Sequence, residues 1–157
     1  MKMIGWLLLL SLPLNAQGFD LTRWGMSEED VQACYPNRTW YPTCSDGTRS
    51  ISQINLEQDF DGVRVKVEFY FRNNRLDNVE IFPAGDRRLK PGAQEAAGRL
   101  LEALVRRHGP PRDHQGFAQG TEGFRWLLPG TEVRASQTVS ATECLFHIQY
   151  LPGPPQR

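Results

Sequence analysis

Residues 63–82 read VRVKVEFYFRNNRLDNVEIF, and this stretch decides the fold. Val63, Val65, Val67, Phe69 and Phe71 alternate with Arg64, Lys66, Glu68, Tyr70 and Arg72. Side chains of a strand alternate between its two faces, so the pattern predicts one apolar and one wet face. Asn73-Asn74 tolerates positive φ at two successive positions, as a tight hairpin turn requires. The chain then returns through Leu76, Val79 and Ile81. Upstream, Ile54 and Leu56 mark a strand over residues 51–60, and Asp61-Gly62 is a second hairpin signal. Two successive hairpins predict a three-stranded antiparallel meander with one face in need of a cover.

The cover is predicted over residues 91–108. Pro91 suits a first helical position. Ala93, Ala96, Ala97, Leu100, Leu101, Leu104, Val105 and His108 recur at three- and four-residue intervals. Arg106, Arg107 and His108 complement the C-terminal end of the dipole, and Gly109-Pro110-Pro111 stops the helix. A shorter helix is expected after Ser27, an N-cap with Asp30 three residues on, ending at Pro36. Residues 37–50, 83–91 and 112–121 read as loops. Strands are expected over 122–128, 131–139 and 144–150, with a turn at Pro129-Gly130. The expected class is therefore α+β: a helix followed by a three-strand meander, arranged twice, with the helices packed on one face of an antiparallel sheet.

The N-terminal MKMIGWLLLLSLPLNAQGFD has a basic Lys2, a short apolar run and small residues at Ala16 and Gly18. That is the layout of a cleaved Sec-type secretory signal, with cleavage after Ala16 or Gly18. A membrane-spanning helix needs roughly 20 apolar residues, more than this run supplies. The expected organisation is a signal peptide over 1–18, a single domain over 19–151 and a flexible tail over 152–157. Lys+Arg and Asp+Glu both number 18, so the basic surplus of a nucleic-acid binder is missing. Lys2, Lys66 and Lys90 are the only lysines, and so strong an arginine bias suggests a GC-rich bacterial genome. The expected location is the periplasm or the medium, with no transmembrane helix in the mature chain.

An oxidising compartment favours disulfides, and the cysteines are Cys34, Cys44 and Cys144. Cys34 and Cys44 bracket CYPNRTWYPTC, where a bridge would close a loop of about eleven residues worth roughly 2.5–3 kcal/mol. Cys34–Cys144 is the other pairing. Asn37-Arg38-Thr39 matches a glycosylation sequon, a chance match in a bacterial chain.

No nucleophile elbow, zincin helix or phosphate-cradling glycine loop is present. No catalytic, cofactor-binding or metal-ligating residue is assigned, and no cofactor is expected. Cys144 and His147 are an odd number apart and so point to opposite faces of a strand, which argues against a nucleophile–base pair. Glu68 and Glu80 read as cross-strand partners for Arg or Lys. The candidate protein-binding surface comprises Tyr70, on the wet face among Arg64, Lys66 and Arg72, and Trp40 and Tyr41 in the cysteine-bracketed loop.

Two segments carry a family resemblance. Trp24-Gly25-Met26-Ser27-Glu28-Glu29-Asp30-Val31 resembles the WGMS-x-E-x-V opening of many small proteobacterial envelope proteins. Leu104 to Pro110, LVRRHGP, with Trp126 downstream, is similar to their helix stop before a Trp strand, with His108 in place of an aromatic. The element order is similar to the SmpA/OmlA outer-membrane assembly lipoproteins and to the β-lactamase-inhibitor-protein-like fold, although the lipidated Cys of the former is absent here. The resemblance implies a non-enzymatic protein-binding module; the expected partner is another envelope protein, and the balanced charge argues against nucleic acid. The alternatives are an enzyme, a hydrolase whose site is assembled from distant residues, or a protein inhibitor.

Overall fold

A computed structural model describes residues 18–43, 51–85, 93–117, 120–140 and 144–154. The elements are α1 (Glu28–Cys34), β1 (Tyr41–Thr43), β2 (Ile51–Phe60), β3 (Val63–Arg72), β4 (Arg75–Pro83), α2 (Ala93–His108), β5 (Asp113–Phe117), β6 (Thr121–Leu128), β7 (Thr131–Val139) and β8 (Cys144–Pro152). All eight strands join one antiparallel sheet in the order β1-β2-β3-β4-β8-β7-β6-β5.

This architecture corrects the expected α+β arrangement of two helix-plus-three-strand units. Strand dominates, the sheet is single and open, and each helix precedes four strands. The two additional strands are the edges. β1 lies in the Pro-rich stretch expected as loop, and Asn55 Nδ2 donates to the Tyr41 carbonyl at 3.0 Å. β5, Asp113–Phe117, has no apolar alternation to betray it; its residues are mostly exposed and its strand form rests on pairing with β6. An edge strand needs no buried face, so binary patterning is silent there.

The local signals act as the chain requires. Asp61 and Gly62 have φ of 52° and 82°, and Asn73 and Asn74 have 51° and 56°, the positive pairs that suit a type I′ hairpin. Ser27 Oγ accepts from the Asp30 amide at 3.1 Å while Asp30 Oδ2 accepts from the Ser27 amide at 3.2 Å, a complete capping box. Val65, Val67, Phe69, Val79, Ile81 and Ile148 form one buried cluster with Val31 of α1 and Ala97, Leu100, Ala103 and Leu104 of α2.

Both motifs behind the family resemblance are staples of this core. The Gly25 amide donates to the Leu76 carbonyl at 2.9 Å and the Leu76 amide to the Met26 carbonyl at 2.8 Å, fixing the segment before α1 to the start of β4. Trp24 Nε1 donates to Thr131 Oγ1 at 3.0 Å, tying the same segment to β7. At the end of α2, Trp126 Nε1 donates to the Gly109 carbonyl at 2.9 Å, and His108 Nε2 lies 3.1 Å from Tyr150 Oη.

The expected signal peptide lies almost wholly outside the described residues. So do Cys44, and with it the Cys34–Cys44 bridge, and Pro91. The alternative Cys34–Cys144 pairing is not formed: Cys34 Sγ lies 3.6 Å from the Leu21 carbonyl and Cys144 is a buried thiol. β8 runs through Pro152, one residue into the stretch expected as tail.

Truncating Leu100, fully buried where α2 meets the sheet, is expected to cost about 2–5 kcal/mol in chemical denaturation. A second expectation concerns pH. Burial first, and then the Arg107 charge, hold the His108 pKa below its ordinary 6.5. Between the folded and unfolded pKa values the unfolded chain binds the extra proton. Stability is therefore whole above pH 6.5 and declines as pH falls from there towards the folded pKa. Denaturation midpoints measured between about pH 7 and 5 should show this decline, and His108→Gln should lack its share of it.

Candidate functional site: the open face of the sheet

Register places one residue from every strand in a single transverse row. Tyr41 pairs with Asn55, Asn55 with Glu68, Glu68 with Glu80, and Glu80 with Gln149. Gln149 pairs with Arg134, Arg134 with Arg125, and Arg125 with Asp113. Directly paired residues share a face, and the sequence neighbours of this row, such as Val67, Ile81, Ile148, Val133 and Trp126, are buried on the other. At a strand spacing of about 4.8 Å the row spans roughly 34 Å. It lies on the face opposite the helices, and every member is polar or, for Tyr41, amphipathic.

The middle of the row is a polar network centred on two carboxylates. Glu68, only 6% exposed, takes Lys66 Nζ at 2.6 Å and the Tyr70 hydroxyl at 2.7 Å. Glu80 receives Asn78 Nδ2 at 3.0 Å and Gln149 Nε2 at 3.4 Å, and the Tyr70 hydroxyl stands 3.5 Å from it. His147 Nε2 stands 3.5 Å from the Glu80 carboxylate, and its ring stacks on Phe82 with centroids 4.8 Å apart and planes 5° from parallel. Carboxylates cannot share this space without donors between them: the single O–H of Tyr70 goes to Glu68, the shorter contact, and Glu80 is supplied by Asn78 and Gln149. Burial, followed by the bond to Glu68, pushes the Tyr70 pKa well above its ordinary 10. The phenol therefore stays a donor throughout the physiological range.

The β5–β8 half of the row is basic in its side chains and balanced by its neighbours. Arg125 Nε donates to Asp113 Oδ2 and Arg134 Nε to Glu132 Oε1, each at 2.7 Å. Arg125 and Arg134 stand directly opposite each other, an arrangement that would be destabilising without those carboxylates.

The candidate surface residues fall in different environments. Tyr70 is half-buried and committed to Glu68 and Glu80 rather than presented among cations. Arg64 pairs with Glu57 and Arg72 with Asp77. Trp40 is tucked in, its ring 5.9 Å from Tyr35 and 5.8 Å from Phe69, whereas Tyr41 is 54% exposed on β1. Cys34 sits on α1, away from this face. The pairing expected for Glu68 and Glu80 is corrected: they face each other, and the lysine on Glu68 comes from its own strand. Sequence reasoning overlooked Glu80 as a hub, His147 as its neighbour, the Arg125–Arg134 juxtaposition and exposed Phe117. Alternation alone puts Glu80, His147, Arg125 and Arg134 on the wet face, but the meeting of Glu80 with His147 depends on the β4–β8 register, that of Arg125 with Arg134 on the β6–β7 register, and Phe117 lies on an edge strand that no alternation marks. Among the described residues no group of three or more His, Cys, Asp or Glu side chains is arranged to hold a metal ion.

No protein-family model matches the chain, and no curated protein matches it. Among solved structures the chain is similar to a DUF4309 family protein (YjgB) from Bacillus subtilis subsp. subtilis str. 168. The identity is 13% and the TM-score 0.44, with 80% of this chain and 78% of that chain covered.

Replacing Tyr70 by Phe removes the donor between two carboxylates and is expected to cost about 1–3 kcal/mol, read by urea denaturation. Tyr41→Ala, at an exposed position, should stay within about 0.5 kcal/mol of the parent. Equal effects from the two would contradict the network.

Proposed function

We propose that the protein is an exported, non-enzymatic binding module of the bacterial envelope that holds a protein partner on the open face of its sheet. The observation that carries this reading is the transverse polar row. Eight strands contribute to one continuous surface whose charged groups are held by neighbours, while both helices serve the opposite face. Such a surface is ordered before it meets a partner, so association loses less side-chain entropy. Tyr41 at one margin and Phe117 at the other are large, exposed rings of the kind that anchor interfaces. The secretory layout of residues 1–18 supports an address beyond the inner membrane. No helix among the described residues is long and apolar enough to cross a membrane. The likeness of residues 24–31 to small proteobacterial envelope proteins supports the same reading, although in this chain those residues act as staples.

One arrangement favours hydrolysis as a second reading. Glu80, His147 and Ser136 occupy neighbouring positions on three adjacent strands of the open face, with Ser136 directly opposite His147. A carboxylate, an imidazole and a hydroxyl in that order are the components of an activated serine nucleophile.

The two readings part in the laboratory. Affinity capture from periplasmic extract, followed by site-directed crosslinking at position 41, should recover one partner that Tyr41→Ala and Tyr70→Phe both retain less well. Recovery unaffected by either change removes the open face as the binding surface. Covalent labelling by a fluorophosphonate that Ser136→Ala abolishes would establish the hydrolytic reading in its place.

A further inference from the structure

The β5–β8 half of the open face contains a shallow groove of about 490 Å³, within the range of small-molecule sites. It adjoins the Glu68–Tyr70–Glu80 network at Gln149 and His147, both beside Glu80, and extends from there towards the β5 edge. Arg125, Arg134 and Gln149 line it together with Asp113 and Glu132.

Two properties of this groove define what fits it. The first is charge balance. Each arginine is joined to its own carboxylate, Arg125 to Asp113 and Arg134 to Glu132, so the groove has no net charge to select an anion or a cation. Yet it is dense in hydrogen-bonding groups whose directions are set in advance. A guanidinium has five N–H donors, more than its ion pair uses, and the carboxylates and the Gln149 amide add acceptors.

The second property is an exposed aromatic ring at the β5 margin of the groove. Phe117 is 56% exposed, and its ring lies across Gly123 of β6. A Cβ at position 123 would come within 2.9 Å of Phe117 Cε2, so glycine is what lets the ring settle against the strand and turn its other side outward. The groove thus combines one apolar platform with a floor of fixed donors and acceptors.

We propose that this groove binds a neutral, polyhydroxylated ring, a pyranose, with an apolar face of the sugar on Phe117 and its hydroxyls on the Arg125–Asp113 and Arg134–Glu132 pairs. Vicinal hydroxyls are both donors and acceptors, as are these ion pairs taken together. A neutral ring avoids the desolvation of a charge that the groove could not offset. The groove shares Phe117 and the β5–β8 end of the row with the proposed partner surface but not Tyr41 or Tyr70, whose variants test that surface, so the protein-partner reading can fail without affecting it.

The test is an NMR titration of the full-length mature chain labelled with 15N. The probes are N-acetylglucosamine, its β-1,4-linked tetrasaccharide, cellotetraose, an anionic tetragalacturonate and a tetra-alanine peptide. Millimolar neutral saccharide is expected to move the amide signals of Phe117 and Gly123 and the Arg125 Nε–H. Phe117→Ala should weaken binding about tenfold and Phe117→Tyr should preserve it. Binding of the monosaccharide as tightly as the tetrasaccharide would identify a free sugar as the ligand; tighter tetrasaccharide binding would identify a glycan chain. Both results support the proposal. It is overturned if no neutral saccharide moves these signals, if the signals that move lie elsewhere, if Phe117→Ala binds unchanged, or if tetragalacturonate or the peptide binds more tightly.

Discussion

The structure depends on one antiparallel pairing, that of β4 with β8 through Val79–Tyr150, Glu80–Gln149 and Ile81–Ile148. These are the last strands of two consecutive units, each a helix followed by four strands. Every other pairing in the sheet is between strands adjacent in sequence, joined by turns or short connections. Among the described residues the β4–β8 ladder is the one long-range strand pairing, bringing together residues 69 apart such as Glu80 and Gln149. Long closures carry an entropic cost that local hairpins do not, and here it is offset by burying Val79, Ile81, Ile148 and Tyr150 in a common core. Without that junction there would be two half-sheets, each with an additional exposed edge.

The same junction makes the open face. It sets Glu68 and Glu80 from the first unit beside His147, Gln149 and Arg134 from the second. The carboxylates are tolerable at low exposure because donors reach them from both sides of the junction: Tyr70, Asn78 and Lys66 from one unit, Gln149 from the other. A buried acceptor is stable only when satisfied, so this face holds a defined arrangement of side chains before anything binds it. Preorganisation of that kind lowers the side-chain entropy lost when such a face is covered.

The motif residues illustrate the distance between resemblance and role. Trp24, Gly25 and Met26 hold the segment before α1 against β4 and β7, and Trp126 closes over the end of α2. A Trp whose indole N–H must find an acceptor on another element is a demanding position, and each of these two finds one. Their chemistry is that of a scaffold. What the scaffold presents is carried by residues of no recognisable motif: Glu80, His147, Arg125, Arg134 and Phe117.

What the amino-acid sequence determined by itself is local. Alternation of period two defined β2, β3 and their faces, Asp61-Gly62 and Asn73-Asn74 defined the hairpins, and Ser27, the α2 stripe and Gly109 defined the helices. These follow from short-range stereochemistry and from the side-chain periods of helix and strand. Tertiary structure alone decided the edges β1 and β5, the merging of two units into one sheet, and the inward turn of Trp40 while Tyr41 stays out. It also decided the meeting of Glu68 with Glu80 and of Glu80 with His147. An edge strand takes its form from its neighbour, and a cross-sheet row takes its members from register. Neither is encoded in any window of the chain shorter than the separation it bridges.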